Sequence, residues 1–448
     1  MKTLKYILFA ITSLFLLQGC SDDDWSPSFA EDELPKIYLT NWTATQAANI
    51  GTTFKWEPIV SPSDGATYKW TKNGNLLSEE KNFEYVVEKQ EEFELKFEVI
   101  RNGVSTHRVT NIVGVKPFVP KAYNKKVVAY IDAMEGSLSD INWDAITHLV
   151  ISAAIVDENG DVDLTFTGST LDISNLISLA HNSGVYVSLQ VAGIHDSLNG
   201  LPTYGSYTFY NAISTPAKRN TLITTLLDYV EEMALDGIDI YMDKPHDLVY
   251  PSADTRAHVA DFYQELADRV PNKNVGGFDF FLSISTYVGW LRDQNTAFAS
   301  IDRYDWVSIL AFAQEDLTPV AHSSAWSCSE NAEFWLGNGV SAEKIIIACP
   351  AFSITYDLRG EKPTWGNLHL YTSYGTYNSL IATYPDAYQT NSLAVADGLF
   401  YDGFPSIEEK AQLVINNNYG GMALWKCGYD VKDASKSLIV KINSALGN

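Results

Sequence analysis

The chain has 448 residues, 46% hydrophobic and only 19% charged, which excludes a disordered or fibrous protein and supplies material for more than one packed domain. Its 31 Lys and Arg residues against 55 Asp and Glu leave a net charge of −24, which argues against nucleic acid and polyanionic glycans as partners. From Met1 to Leu17 a short basic start, Lys2 and Lys5, precedes an apolar run from Tyr6 to Leu17. That run is too short for a permanent membrane-spanning helix and has the form of a secretory signal.

The signal ends Leu17-Gln18-Gly19-Cys20, which resembles a bacterial lipobox. The resemblance implies a lipoprotein signal peptide over residues 1–19 and acylation of Cys20; an ordinary signal with a chance cysteine is the alternative. Residues 20–34 read as an acidic tether, and the run Ser21-Asp22-Asp23-Asp24 resembles a surface-export signal of some Gram-negative bacteria. The resemblance implies an outer-membrane lipoprotein at the cell surface, held to the membrane through its lipid anchor only. A solvated linker is the plainer reading of that run. Beyond Cys20 the chain keeps Cys328, Cys349 and Cys427, three thiols that cannot all pair within one chain. Cys349 and Cys427 fall near the ends of predicted strands and read as buried, inert thiols, with their pairing left open.

Residues 35–117 show short strands and turns. Thr67–Lys72 alternates, Asn73-Gly74 is a hairpin signal, Phe93–Ile100 alternates again, and Asn102-Gly103 supplies another turn. The pattern predicts a small all-β sandwich. The stretch Tyr68-Lys69-Trp70-Thr71-Lys72-Asn73-Gly74 resembles immunoglobulin-like and polycystic-kidney-type modules of secreted bacterial proteins, and a spacer role is expected of it.

After Pro117 and Pro120 the period changes, and residues 122–448 alternate apolar runs with helical stretches. Strands are predicted at Lys126–Ile131, Ile146–Ile155, Val185–Val191, Gly237–Met242, Phe278–Tyr287, Trp306–Ala313, Lys344–Ala351 and Met422–Lys426. In Leu222–Met233 the apolar residues fall on one helical face. Eight such strands with crossovers predict an α/β fold, a (β/α)8 TIM barrel behind the sandwich. An open doubly wound sheet is the rival, weakened because no glycine-rich phosphate loop follows the first strand.

Leu235-Asp236-Gly237-Ile238-Asp239-Ile240-Tyr241-Met242-Asp243 is the most informative stretch. A two-residue period sends Asp239, Tyr241 and Asp243 toward the barrel axis and Ile238, Ile240 and Met242 toward the helices. Two inward carboxylates flanking a tyrosine are costly to bury without a purpose. The stretch resembles the signature Asp-Gly-x-Asp-x-Asp-x-Glu of glycoside hydrolase family 18, the chitinases and endo-β-N-acetylglucosaminidases. Val127–Tyr130, Thr147–Ser152, Val187–Gly193, Tyr304–Ala313 and Gly420–Trp425 resemble the family's first, second, third, sixth and eighth strands.

In that family the final Glu is the general acid, the substrate's own acetamido group is the nucleophile, and the preceding Asp orients that group. The resemblance therefore puts Asp243 in the acid's place, Tyr241 in the orienting Asp's place and Asp239 on the retained Asp. It puts Phe312 and Ala313 where the sixth strand carries a tyrosine and an acid, and Gln190 and Ala192 where the third carries Ser and Gly. Shortening Glu to Asp draws the carboxyl back by about 1.5 Å, and a misplacement of about 1 Å can cost roughly 100-fold in rate. Phe312 lacks the hydroxyl through which a tyrosine would hold the acetamido group.

Three readings stay open. The first is a glycan-binding lipoprotein on a catalytically degenerate barrel, taking N-acetylglucosamine-containing glycans such as chitin oligomers or N-glycans. The second is an active retaining glycosidase using Asp243 as general acid. The third is a protein-binding or inhibitor module. Whether the chain is an enzyme is thus undecided at this point. Trp425 matches the family's platform tryptophan, and Tyr130, Gln190, Tyr241 and Phe312 are expected to join it in binding substrate at the barrel mouth. Tyr287, Trp290, Trp326, Trp335, Trp365, Tyr371, Tyr374 and Tyr377 lie in or near following loops, and Tyr204, Tyr207 and Tyr210 suit a helix start. His195, His246 and His322 are scattered, so neither a metal nor another cofactor is expected. An outer-membrane glycan transporter complex is an expected protein partner.

Overall fold

The computed structural model describes residues 34–448 except 41, 90, 116–117, 158, 167–168, 170, 196–202, 206, 242–252, 275, 288–301, 313–322, 357–371 and 396–397. The chain divides between Lys116 and Pro117 into two compact units.

The first unit is all β. Its strands are β1 (Lys36–Tyr38), β2 (Thr45–Asn49), β3 (Thr53–Trp56), β4 (Ile59–Ser61), β5 (Thr67–Lys72), β6 (Asn75–Ser78), β7 (Phe83–Val86), β8 (Glu91–Arg101) and β9 (Val104–Val115). Five of them form one sheet in the order β2-β9-β8-β5-β6, while β1 pairs with β4 and β3 with β7. Both Asn-Gly pairs sit at hairpin turns with positive φ, Asn73 at 47° and Gly74 at 80°, Asn102 at 48° and Gly103 at 82°. That double left-handed turn matches the twist of the strands it joins. Alternation along β8 buries Phe93, Leu95, Phe97 and Val99. Trp70 packs on Phe97 at 4.4 Å and on Trp56 at 5.6 Å between ring centroids.

In the second unit eight parallel strands close into a barrel: β10 (Lys126–Asp132), β11 (His148–Val156), β13 (Tyr186–His195), β15 (Gly237–Tyr241), β16 (Phe281–Tyr287), β17 (Trp306–Leu310), β18 (Ile345–Pro350) and β23 (Gly421–Trp425). Each pairs with the next in this order, and β23 returns to β10. Covered on both faces, such strands carry near-continuous apolar runs, which is why they are conspicuous in the sequence. The predicted Ile146–Ile155 begins later, at His148, because Trp143–Ala145 forms a short 3-10 turn. The predicted Trp306–Ala313 ends earlier, at Leu310, where the Phe312 amide folds back onto the Leu310 carbonyl at 2.9 Å.

Eight α-helices lie among the described residues of this unit: α1 (Ile173–Asn182), α2 (Tyr207–Ala212), α3 (Pro216–Glu232), α4 (Ala253–Arg269), α5 (Ala325–Gly337), α6 (Tyr377–Thr383), α7 (Phe404–Asn416) and α8 (Leu438–Ala445). The Thr215 side chain caps α3 by accepting from the Lys218 amide, and Pro216 opens its first turn. Leu222, Ile223, Leu226 and Val230 of α3 are buried in the core that also holds Ile238 and Ile240 of β15.

At the C-terminal ends of the barrel strands the sheet is extended. β12 (Val162–Asp163) forms a hairpin with β11, and β14 (Thr203–Gly205) one with β13. After β18 the chain enters a separate antiparallel sheet of β19 (Phe352–Tyr356), β20 (Thr372–Thr376), β21 (Ser392–Leu393) and β22 (Leu399–Phe400), in the order β20-β19-β22-β21. The opposite end of the barrel holds an aromatic plug, in which His148 contacts Tyr123, Tyr186, Phe281 and Trp306 at 5.1–5.3 Å between ring centroids.

Candidate functional site at the barrel mouth

The site is built on β15. Asp236, just before it, is fully buried and accepts from the Val187 amide at 2.7 Å, from His181 Nε2 at 2.9 Å and from the Asn274 amide group. It ties β15 to β13, to α1 and to the segment before β16. Gly237 follows because no larger residue fits: a Cβ there would lie 2.4 Å from the Phe281 carbonyl oxygen and 2.6 Å from Ser188 Oγ. The first two positions of the signature therefore act in barrel assembly.

Asp239 faces the axis and is completely buried. Its carboxylate accepts from Ser283 Oγ at 2.6 Å, Ser285 Oγ at 2.6 Å and Gln190 Nε2 at 2.8 Å. Ser152 Oγ donates to Gln190 Oε1 at 2.7 Å, and Tyr130 Oη lies 2.8 Å from both Ser285 Oγ and Ser308 Oγ. Side chains from six strands thus form one hydrogen-bonded layer across the barrel. Burial pushes the Asp239 carboxyl above its usual range, against the pull of Ser283, Ser285 and Gln190. Burial, and then the Asp239 charge, push the Tyr130 phenol well up.

Above this layer lies an aromatic floor. Trp425, at the end of β23 and half-buried, has its ring centroid 4.9 Å from that of Tyr130 and 5.9 Å from that of Tyr241. Phe312 is buried and meets Phe352 edge-on at 5.7 Å. Beside Trp425, Lys426 forms an ion pair with Asp132, at the end of β10. Both are largely buried, and Asp132 also accepts from the Met134 amide at 2.8 Å and the Glu135 amide at 3.2 Å. The Lys426 ammonium lies 5.8 Å from the Trp425 ring centroid and 5.9 Å from that of Tyr429.

The structure thus gathers Tyr130, Gln190, Asp239, Tyr241 and Trp425 at one end of the barrel, but at different depths. Tyr130 and Gln190, expected to touch substrate, are fully buried and engaged with other side chains, Tyr130 with its hydroxyl in the layer and its ring against Trp425, and Gln190 within the layer. Tyr130 supports the Trp425 ring, and Gln190 donates a hydrogen bond to the Asp239 carboxylate. Asp243, Ala313 and Cys20 lie outside the described residues, as do Trp290, Trp365, Tyr371, His246 and His322. Trp335 and Tyr377 are buried in α5 and α6, whereas Trp326 is exposed on α5 and Tyr374 on β20. Tyr204 belongs to β14, and Tyr207 and Tyr210 belong to α2. The layer partners Ser283 and Ser285 escaped the sequence reading, although their two-residue spacing on a predicted strand marks them as sharing a face. The Asp132–Lys426 pair had no local signal.

Cys328, Cys349 and Cys427 are free and buried, and burial pushes all three thiols up. Among the described residues no group of three or more His, Cys, Asp or Glu side chains could hold a metal ion. No helix among the described residues is long and apolar enough to cross a membrane. Chemically, the floor can cover the apolar face of a sugar ring. Both described carboxylates of the signature stretch, Asp236 and Asp239, are held in the interior.

A closed (β/α)8 barrel whose fourth strand carries this acidic signature defines a glycosidase-type scaffold. The model of glycosyl hydrolases family 18 matches residues 126–430, and the chain belongs to that family. The model of a PKD-like domain matches residues 35–101. Among curated proteins, a chitinase-like effector of Moniliophthora roreri is 24% identical over 243 residues, covering 50% of this chain and 56% of that protein. A chitinase-like effector of Moniliophthora perniciosa is 29% identical over 131 residues, 28% of each chain. The chain thus spans only 28% and 56% of the length of these two relatives. Among solved structures, a chitinase from Bacteroides thetaiotaomicron superposes with a TM-score of 0.58 at 19% identity, over 72% of this chain and 96% of the other. A class V chitinase from Nicotiana tobaccum, in complex with NAG4, superposes with a TM-score of 0.56 at 14% identity, over 72% and 99%. At these identities the likeness is one of fold.

Proposed function

We propose that the barrel is a glycan-binding module for N-acetylglucosamine-containing glycans, such as chitin oligomers or N-glycans, with little or no hydrolytic activity. One observation carries this reading. The Asp239 carboxylate, fully buried, is saturated by Gln190, Ser283 and Ser285 beneath an aromatic floor of Trp425, Tyr241 and Tyr130. Such a surface offers stacking area to a sugar ring and withholds this acid from it. The remaining signature acid is Asp243, one methylene shorter than the family's Glu, with Tyr241 where the orienting Asp would stand.

Family membership and the naming of two relatives as chitinase-like effectors fit a barrel that binds its family's ligands. On the lipobox resemblance at Leu17–Cys20, we also propose that the protein is a lipid-anchored outer-membrane protein. It would display the barrel at the cell surface and capture glycan for an outer-membrane transporter complex.

The test is product release from chitin oligomers and from N-glycans by the unmodified protein, beside a direct binding titration. Binding without turnover is expected. Turnover of about 1 s⁻¹ or more, within the ordinary enzyme range and abolished by Asp243→Asn, would replace this reading with that of a retaining glycosidase. Binding to no glycan at all would also overturn it.

A further inference from the structure

We propose that Lys426, paired with Asp132, is the positioning residue of the Trp425 ring: its ammonium fixes the orientation in which that ring meets a ligand. The inference rests on the glycan-binding reading above, in which Trp425 carries the sugar.

Trp425 stands where the strand ladder ends. It is the last residue of β23, opposite Tyr130 of β10 on one side and Pro350 of β18 on the other. Pro350 has no amide hydrogen to give, and the Ala351 amide donates to the Trp425 carbonyl instead, at 2.7 Å. On the other side the register of β10 with β23 stops at the Tyr130–Trp425 pair, while β10 runs on to Asp132, opposite Ser152 of β11. Past Trp425 the chain leaves the sheet and turns through the 3-10 segment Cys427–Tyr429. A half-buried ring at such a strand end keeps one orientation only if side chains around it restrain it.

Asp132 is a prepared anchor for that restraint. It lies two residues beyond Tyr130 on β10 and so shares its face. Its Oδ1 accepts from the Met134 amide at 2.8 Å and the Glu135 amide at 3.2 Å, and its carbonyl accepts from the Gly136 amide at 2.9 Å. The turn after β10 therefore fixes the carboxylate, and Oδ2 receives the Lys426 ammonium. That ammonium is within cation–π range of two rings, 5.8 Å from the Trp425 centroid and 5.9 Å from that of Tyr429. Tyr429 Oη in turn reaches Glu135 Oε2, on the same turn, at 3.5 Å. One cation thus ties the turn after β10 to the Trp425 ring and to the segment that follows it.

Stability alone does not account for this arrangement. Both partners are buried, and taking two charges out of water costs free energy that their attraction repays only in part. Apolar side chains of similar volume often hold such a position as well or better. What they do not supply is direction. Apolar contact is non-directional, whereas an ion pair anchored on two backbone amides holds the charge at one point beside the indole. The pair is therefore suited to fixing a ring that must present a defined face to a sugar.

The experiment uses the full chain labelled with 5-fluorotryptophan, with the Trp425 fluorine resonance assigned by its loss in Trp425→Phe. Lys426→Met leaves the Asp132 charge buried and unpaired, so Asp132→Asn with Lys426→Met is made beside it; the Asn oxygen still accepts from Met134 and Glu135. In both variants the Trp425 resonance moves and broadens as the ring samples several orientations, while those of Trp306 and Trp335, buried in the barrel, stay in place. Affinity for the β-linked tetramer of N-acetylglucosamine, titrated calorimetrically, falls about tenfold in both. The urea midpoint of the double variant stays within about 0.5 M of wild type, which separates positioning from stability. Lys426→Arg, which can pair with Asp132 and lie over both rings, keeps a sharp resonance and the wild-type affinity. A folded Lys426→Met with an unmoved, sharp Trp425 resonance overturns the proposal, and a loss of affinity in that case would make Lys426 a ligand contact. A double variant that binds the tetramer as wild type does also overturns it. Failure of the wild type to bind the tetramer counts against the glycan-binding reading, while the resonance still decides whether Lys426 positions Trp425.

Discussion

Replacing Asp239 separates a structural acid from a catalytic one. In Asp239→Ala the three donors from Gln190, Ser283 and Ser285 lose their acceptor. A buried polar group left without a partner costs about 1–3 kcal/mol. Ser285 keeps Tyr130 at 2.8 Å, and Gln190 keeps a longer contact to Ser285 at 3.3 Å, so the low end applies to those two. The variant should therefore lose about 3–5 kcal/mol. Asp239→Asn keeps the shape and one acceptor oxygen, turns one amide hydrogen toward a donor, and removes a buried charge. It should fall within about 1–2 kcal/mol of wild type. Urea unfolding followed by circular dichroism at a helical wavelength reports on the barrel, because the N-terminal unit is all β. At a slope of about 3 kcal/mol per M, the Ala variant should unfold about 1–1.7 M earlier. Folded Asp239→Asn should bind glycan within about twofold of wild type, because the carboxylate lies under the floor. An Ala variant with a wild-type midpoint would refute the structural role. An Asn variant that is stable but no longer binds would show that the carboxylate acts on the ligand.

Trp425→Ala should weaken glycan affinity by roughly 1–3 kcal/mol, the scale for losing a large apolar contact, with the fold checked by circular dichroism; unchanged affinity would place the sugar elsewhere. His148, held well below the usual histidine range by burial and then by Lys126, stays neutral in the fold. Its unfolded value is near 6.5, so its contribution to stability is complete above that value and is lost as pH falls below it, by up to about 1.4 kcal/mol per pH unit. The urea midpoint should therefore fall between pH 7.5 and about pH 5 in wild type, and fall less in His148→Phe; equal slopes would remove His148 as the cause. Cys20→Ala should release the protein from membranes and abolish acyl labelling, and continued labelling of the variant would disprove acylation at Cys20.

The barrel is legible in the sequence because strands covered on both faces must be apolar throughout. All eight predicted runs overlap observed strands, and the two-residue period places Ile238 and Ile240 in the helix-facing core and Asp239 inside the barrel. Depth is a different matter. Period two says which way Tyr130 and Gln190 point, but their distance from the mouth depends on the stagger between neighbouring strands, which no local pattern encodes. Pairs far apart along the chain are equally silent: Lys426 finds Asp132 across 294 residues, and Tyr130 finds Ser285 across 155. The small sheet after β18 escaped notice because its strands run only two to five residues and mix polar with apolar side chains.

The aromatic floor straddles the seam at which the barrel closes. Trp425 comes from the last strand and Tyr130 from the first, paired in register, and the Asp132–Lys426 ion pair links the same two chain segments just beyond that pair. A ribosome releases these partners at opposite ends of the barrel's synthesis, so a nascent chain holds every earlier strand before it holds a floor. Loop closure over that separation is entropically costly and comes late in a fold of high contact order. The aromatic floor is therefore a property of the finished circle alone: a chain interrupted before Gly421 has seven barrel strands and lacks Trp425. Under the proposed function, a glycan seated on Trp425 would act as a clasp across the joint, opposing the unzipping of β23 from β10.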